Sequence, residues 1–447
     1  MALPLEIRRV LGEKLADSAS RPLPASTTRE VRGALAMPGK ATAVIGMRRA
    51  GKTTLLHQVR RERADAGIPI AALPLINFED ERLAGLEGAH LGFLLDEHQR
   101  MFPEAGNRVT WCFDEIQVVP GWERFVRRLL DRGDADVFVT GSSADLLSRE
   151  VATALRGRAW AVPLYPFSFR EALRHGAGEI SSPAALREPR VRARVERRFA
   201  EWLVAGGFPE VQGLDAASRH QLLRDYVDVA MLRDVVERHE VKQVAALRWL
   251  VRHLLGNAAS SFSVERFYAA LKSQGLAISK DTVHHLLAHL EDCFLVRLVW
   301  MESTSERQRM VNPRKGYPVD TGLIPVFDRS GRANRGHALE TAVLIELLRR
   351  RCEVTYVRNA SGTEVDFLAR GPEGAEELIQ VCDDAGDPDT AARELRALAE
   401  AADAHPRATR RLLTTTPDGF PADAGRDVTV QAAYEWMLEE PPAPSTR

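Results

Sequence analysis

Cysteine is scarce, with four in 447 residues. Cys112, Cys293, Cys352 and Cys382 stand far apart and form no CxxC pair. That spacing argues against a disulfide framework or a cysteine zinc site and predicts a reducing, cytoplasmic location. No run reaches 18 consecutive apolar residues, so no transmembrane helix and no membrane partner are expected. The opening MALPLEIRRVLGEKLADS has no long apolar stretch of the secretory kind. Net charge is also lacking. A formal −1 gives no global field toward nucleic acid or an anionic surface, so any such contact must come from a local patch. Lysine is rare too: only seven of the 61 basic residues are lysines.

What remains is ordinary for a globular chain, 45% hydrophobic and 28% charged. The length predicts roughly two to four domains. Residues 1–36 read as a mainly helical arm. From about 37 to 175 short apolar strands alternate with helical spacing: ATAVIG (41–46), IPIAALPLINF (68–78), VTWCFDE (109–115), ADVFVTGSS (135–143) and RAWAVPL (158–164). Buried strands alternating with helices predict an α/β fold with a parallel sheet. Residues 176–243 are arginine-rich and helical. Residues 244–335 contain short helices and the apolar strand FLVRLVW (294–300). An α/β pattern returns over 336–440, and 441–447 read as a disordered tail.

The first strand runs into Gly46-Met47-Arg48-Arg49-Ala50-Gly51-Lys52-Thr53, followed by Thr54, which fits GxxxxGK[ST]. Glycines let the backbone curl so that successive N–H groups face phosphate oxygens. Lys52 is placed to reach the β- and γ-phosphates, and the Thr53 hydroxyl to ligand Mg²⁺. The helix starting there offers its positive end to an anion. ATP and Mg²⁺ are the expected ligands.

The strand Val109–Phe113 ends in Asp114-Glu115. Asp114 suits a Mg²⁺ ligand, and Glu115 suits a base that deprotonates the attacking water. The next strand ends Thr140-Gly141-Ser142-Ser143. A polar side chain there can sense the γ-phosphate. Ser142 is the first choice and Thr140 the second, with a helix N-cap as the competing reading.

These pieces in this order resemble prokaryotic AAA-type ATPases that carry a C-terminal domain of unknown function. The resembling stretches are IGMRRAGKTTLL, INFEDERL, FDEIQVVPGWERFVRRLLDRG, VTGSSADLLSRE, LRGRAWAVPLYPFSFREAL, GGFPEV, NPRKGYPVDTGL, ETAVLIELLRR, SGTEVDFL and ELIQVC. The resemblance implies a P-loop NTPase parallel sheet with a helical lid, then a winged helix, then a C-terminal α/β domain of restriction-endonuclease-like fold. It implies an ATPase and a possible homo-oligomer. In LRGR, Arg156 or Arg158 would be an arginine finger in cis or on a neighbouring subunit, with Arg158 the first choice. Gly206-Gly-Phe-Pro209 resembles the lid element whose proline packs near adenine; a helix–helix turn explains it as well.

The winged helix would use the second of two helices, with Ser279 as cap, as its recognition helix. Its face holds Lys280, His284, His285 and His289, which is weakly basic for DNA, and a packing role is the alternative. In the tail, an endonuclease-like site would use Glu340 on a helix and Asp366 on a strand, with an acid-x-Lys on the next strand. That strand instead reads Gln380-Val-Cys382. The lysine is missing, with Asp383 and Asp384 nearby as partial replacements. The expectation is a degenerate fold that binds, DNA included, rather than cleaves.

Overall fold

The computed structural model describes residues 3–106, 108–142, 155–176, 179–180, 182–328, 335–383, 387–416 and 427–439. Ser143, Asp384 and the 441–447 tail fall outside them. The chain forms two compact units. One is Met1–Leu164 with the short piece Asp292–Phe294; the other is Tyr165–Glu291 with Leu295–Arg447.

In the first unit, strands β1 (Ala41–Ile45), β2 (Leu75–Asn77), β3 (Val109–Asp114), β4 (Ala135–Gly141) and β5 (Ala159–Pro163) form a parallel sheet in the order β2-β3-β4-β1-β5. Each pairing is parallel, so all five strands end at one edge. The alternation of β3 explains the two layers. Trp111 and Phe113 stack on each other and turn to one face, where Phe113 meets Phe125 of helix α4 (Trp122–Arg132), the helix after α3 (Gly92–Met101). Cys112 turns to the other face and packs with Phe138 against Leu56 and Val59 of α2 (Lys52–Asp65). The segment 68–78 yields only the three-residue β2. Ile70–Ala72 is a 3-10 turn, bounded by Pro69, whose fixed φ and missing N–H do not suit a strand interior.

Helix α1 (Leu5–Ser20) buries Ile7, Val10, Leu11 and Leu15 within this unit. The Arg60 guanidinium of α2 donates to the Ser18 carbonyl at its end. The chain then runs along α2: Gln58 donates to Ser26 Oγ and the Thr27 carbonyl and accepts from the Arg29 N–H.

The second unit opens with helices α5 (Phe169–Gly176), α6 (Pro189–Ala205) and α7 (Ala216–Val229), the last running into a π-helical segment, Ala230–Glu237. Helices α8 (Val244–Gly256), α9 (Val264–Ser273) and α10 (Lys280–Asp292) follow, with β6 (Ser260–Phe262) between α8 and α9 and β7 (Val296–Met301) and β8 (Arg314–Pro318) after α10. Next come α11 (Arg335–Arg349), β9 (Glu353–Arg358), β10 (Glu364–Arg370), β11 (Glu376–Cys382), α12 (Pro388–Ala404), β12 (Thr409–Thr414), β13 (Val428–Ala432) and α13 (Ala433–Leu438).

Strands β6, β8 and β7 pair antiparallel, and β7 pairs parallel with β9. The result is one eight-stranded sheet, β13-β12-β11-β10-β9-β7-β8-β6, running through the two regions that the sequence divides near residue 335. Strand β10 shows how it is covered. Phe367 faces the cluster containing Leu344 of α11 and Tyr434 of α13, while Leu368 faces the cluster containing Leu398 of α12.

Candidate functional site

The shared strand edge of the first unit gathers the predicted residues. Gly46 leaves β1 tight against the chain after β5. A Cβ there would stand 2.1 Å from the Leu164 carbonyl oxygen, and only glycine fits. Arg49 and Gly51 have φ of 67° and 99°, which curls the loop before α2 begins at Lys52. The leading N–H groups of α2 have no intrahelical partner by geometry and face outward from its positive end. Met47 and Ala50 are fully buried, and the Ala50 carbonyl accepts from the Arg29 guanidinium at 2.6 Å. Arg48 reaches Glu79 at 2.9 Å. Thr54 follows on the first turn of α2.

Lys52 is 5% exposed, and its ammonium donates to the carbonyls of Gly46 (3.0 Å) and Met47 (3.2 Å). Glu115 Oε1 lies 3.8 Å away. Thr53 Oγ1 donates to Asp114 Oδ2 at 2.9 Å. Asp114 is fully buried and also accepts from Asn77 Nδ2 at 2.7 Å and Thr140 Oγ1 at 2.6 Å. Burial raises its pKa above the usual carboxylate value, and the Thr140 hydrogen bond pulls the other way. Thr140 Oγ1 in turn accepts the Glu115 N–H at 2.9 Å. Glu115 sits at φ 53°, so the chain turns sharply as it leaves β3. Gln117 donates to its carboxylate.

Sequence reasoning ranked Ser142 above Thr140. In the structure Thr140 touches both carboxylate-bearing residues, whereas Ser142 is buried just past the end of β4, level by register with Gly46. Asn77 was missed. Its place at the end of an apolar run before EDER was the available signal.

The arginines predicted as fingers lie away from this edge. Arg158 lies at the start of β5, where its carbonyl accepts the Ala41 N–H, and its guanidinium pairs with Asp131. Five strand residues at about 3.3 Å each place it roughly 16 Å from the P-loop edge. Arg156 shares the same turn, in the left-handed region. Pro209 belongs to the second unit and opens the 3-10 turn Pro209–Val211. Ahead of it, Gly206 and Gly207 pack so closely on Asp320 and Phe167 that a Cβ would collide with either. The Asp320 carboxylate accepts the Gly207 N–H at 2.6 Å and the Gly322 N–H at 3.0 Å. Two distant motifs, GGFP and YPVDTGL, thus form one joint, and burial pushes Asp320 up to about 6.

In the second unit a lysine stands among the predicted carboxylates. Lys315 of β8 is buried and places its ammonium 2.9 Å from Glu340, 2.7 Å from Glu364 and 3.1 Å from Asp366. Tyr317 donates to Glu340 at 2.6 Å. Gln380 Oε1 accepts the Asp366 N–H, its Nε2 donates to Glu394, and the Val381 N–H donates to Asp366. Cys382 is buried, and Asp383 accepts from Thr415. Burial and the Asp366 charge raise the pKa of Glu340, while the three carboxylates raise that of Lys315 against its own burial. Among the described residues no group of three acidic, histidine or cysteine side chains is arranged to hold a metal ion. On α10, Ser279 caps the helix by accepting the Thr282 N–H, Lys280 pairs with Glu265, and His289 stacks on His239 at 3.8 Å. No helix among the described residues is long and apolar enough to cross a membrane.

Comparison with known proteins agrees with the geometry of the first unit. An AAA domain family matches residues 38–173. A domain family of unknown function matches 196–331. An uncharacterized protein of Methanocaldococcus jannaschii is 33% identical over 351 residues, covering 77% of this chain and 75% of its own. The chain belongs to that protein's family, and its residues 38–173 carry an AAA domain. An uncharacterized Haemophilus influenzae protein is 30% identical over 338 residues, covering 76% of this chain and 80% of its own. A Walker-type ATPase of Pyrococcus abyssi aligns at 16% identity with a TM-score of 0.38, over 72% of this chain and 95% of that one.

Proposed function

We propose that the chain is a Mg²⁺-dependent ATPase working as a nucleotide-driven switch. The observation that carries this is the convergence of Lys52, Thr53, Asp114, Glu115 and Thr140 at one sheet edge. The donor set fits the ligands. A curled backbone and a helix N-terminus face an anion, and a hydroxyl and a carboxylate stand side by side where a hard cation binds oxygen. Mg²⁺, held through Thr53 and Asp114, would neutralise charge on the phosphates. Lys52 binds the phosphate oxygens, and Glu115 takes the proton of the attacking water. Thr140 fixes both acidic residues, one through its side chain and the other through its backbone. Arg158 takes no part at its own chain's nucleotide. Gly206–Pro209 has a packing explanation through Asp320, so adenine contact by Pro209 is not needed.

Thermal unfolding with Mg-ATP, beside phosphate release, tests this reading. At a hundredfold excess over Kd, ATP should stabilise the wild type by about 2.7 kcal/mol, or about 5 to 10 °C in a unit of this size. Lys52→Ala should lose both the shift and the phosphate. An unchanged shift in that variant sinks the assignment.

A second reading concerns the tail. Lys315 already supplies the positive charge among Glu340, Glu364 and Asp366. This supports an endonuclease-like domain, next to a winged-helix arrangement of α8–α10 and β6–β8, that binds or signals without metal-dependent cleavage. Supercoiled plasmid incubated with protein and Mn²⁺ checks it; metal-dependent nicking by the wild type, lost in Asp366→Asn, would reject it.

A further inference from the structure

A cleft of the second unit lies among α7, α8 and α9 and encloses about 1240 Å³. That exceeds the roughly 300–1,000 Å³ usual for a small-molecule pocket. Arg224 of α7, Arg248 and Arg252 of α8, and Arg266 of α9 line it, all exposed. None of these four side chains forms an ion pair or hydrogen bond among the described residues. Elsewhere exposed arginines are commonly paired, as Arg82 with Asp80, Arg100 with Glu97 and Arg132 with Asp134. Against the four guanidiniums stand the carboxylates of Asp228 and Asp328, leaving the cleft net positive.

Trp249 stands in the same cleft and is 53% exposed, the one aromatic among the large exposed hydrophobic side chains of the described residues. Its position follows from α8. Leu247, Leu250, Val251, Leu254 and Leu255 form the buried face. Arg248, Trp249 and Arg252 then share the opposite side, because residues three and four apart are neighbours on a helix. The half-exposed indole thus stands beside guanidiniums that form no ion pair among the described residues, an aromatic face next to positive charge.

We infer that this cleft binds single-stranded nucleic acid, with the arginines on backbone phosphates and Trp249 stacked on a base. A groove of positive charge with an aromatic platform recognises a strand without reading its sequence. The face differs from the expected recognition helix α10, whose Lys280 is already paired with Glu265. The inference is independent of ATP turnover.

The test is fluorescence anisotropy of a labelled single-stranded DNA oligonucleotide across a salt series, without nucleotide. Each lost phosphate contact lowers the log–log salt slope by about 0.7, so Arg248→Ala/Arg252→Ala should flatten it by about 1.4. Trp249→Ala should weaken binding about 5- to 150-fold and leave the slope unchanged, as loss of one stacked base does. Arg407→Ala, an exposed arginine outside the cleft, should change neither, and Lys52→Ala should bind as the wild type does. All substituted side chains in the cleft are exposed, and circular dichroism confirms folding. Absence of binding, variants indistinguishable from wild type, or equal competition by poly-glutamate would overturn the inference.

Discussion

Replacing Lys315 with methionine is the sharpest structural perturbation available in the second unit. The substitution keeps the unbranched length and removes the charge. In the wild type one ammonium lies within 3.1 Å of three carboxylates. Glu340 and Asp366 are buried, while Glu364 is a third exposed and its share is screened by solvent. Removing one partner of a buried ion pair costs on the order of 3–5 kcal/mol, because uncompensated charge remains. For a unit of this size that is a fall in Tm of about 6 to 20 °C.

The sign of the pH dependence follows from Glu340. Its folded pKa is raised, so its contribution to stability is present below the unfolded value and lost as pH rises through the folded value. Without Lys315 that pKa rises further. The deficit of Lys315→Met should therefore be small in acid, where the carboxyls are protonated, and grow toward neutral pH. Thermal unfolding followed by circular dichroism across pH measures it. A Tm equal to wild type, or a deficit that is largest in acid, refutes the reasoning.

Thr140→Val removes a hydroxyl that donates to Asp114 and accepts from the Glu115 N–H, with little change of shape. Leaving buried groups unsatisfied costs about 1–3 kcal/mol; phosphate release should fall more than ATP affinity does, read by steady-state kinetics beside a binding titration. Asp320→Asn removes a carboxyl whose folded pKa is raised from 3.8 to about 6, so wild-type stability is greatest below the unfolded value and declines as pH rises through about 6. That decline amounts to about 3 kcal/mol, and the asparagine variant should flatten it in the same pH-dependent melts.

Much of the first unit was legible because its signals are local. The apolar run into Gly46, the glycine spacing and the acidic pair after VTWCF each lie within a few residues, and their backbone needs are met by their own side-chain types. The rest depended on register and distance. Thr140 outranks Ser142 because the pairing of β1, β3 and β4 sets which strand end meets Asp114. Arg158 follows a polar strand end in sequence, yet it begins the next strand and so lies at the opposite edge of a parallel sheet. Lys315 and Asp366 are 51 residues apart, and no spacing rule connects an NPRK turn to a carboxylate two strands later. Pairing of β7 with β9 joined regions that composition separates, since an edge strand's free N–H and C=O groups leave no mark in the sequence.

The central claim is that Glu115 activates water for ATP hydrolysis while Lys52 and Thr53 hold the nucleotide. Single-turnover phosphate release by Glu115→Gln, with ATP affinity measured on the same sample, tests it most directly. Loss of a positioned general base predicts release slowed by about 10²–10⁴-fold at near wild-type affinity. Release at the wild-type rate by a variant that binds ATP normally would contradict the account.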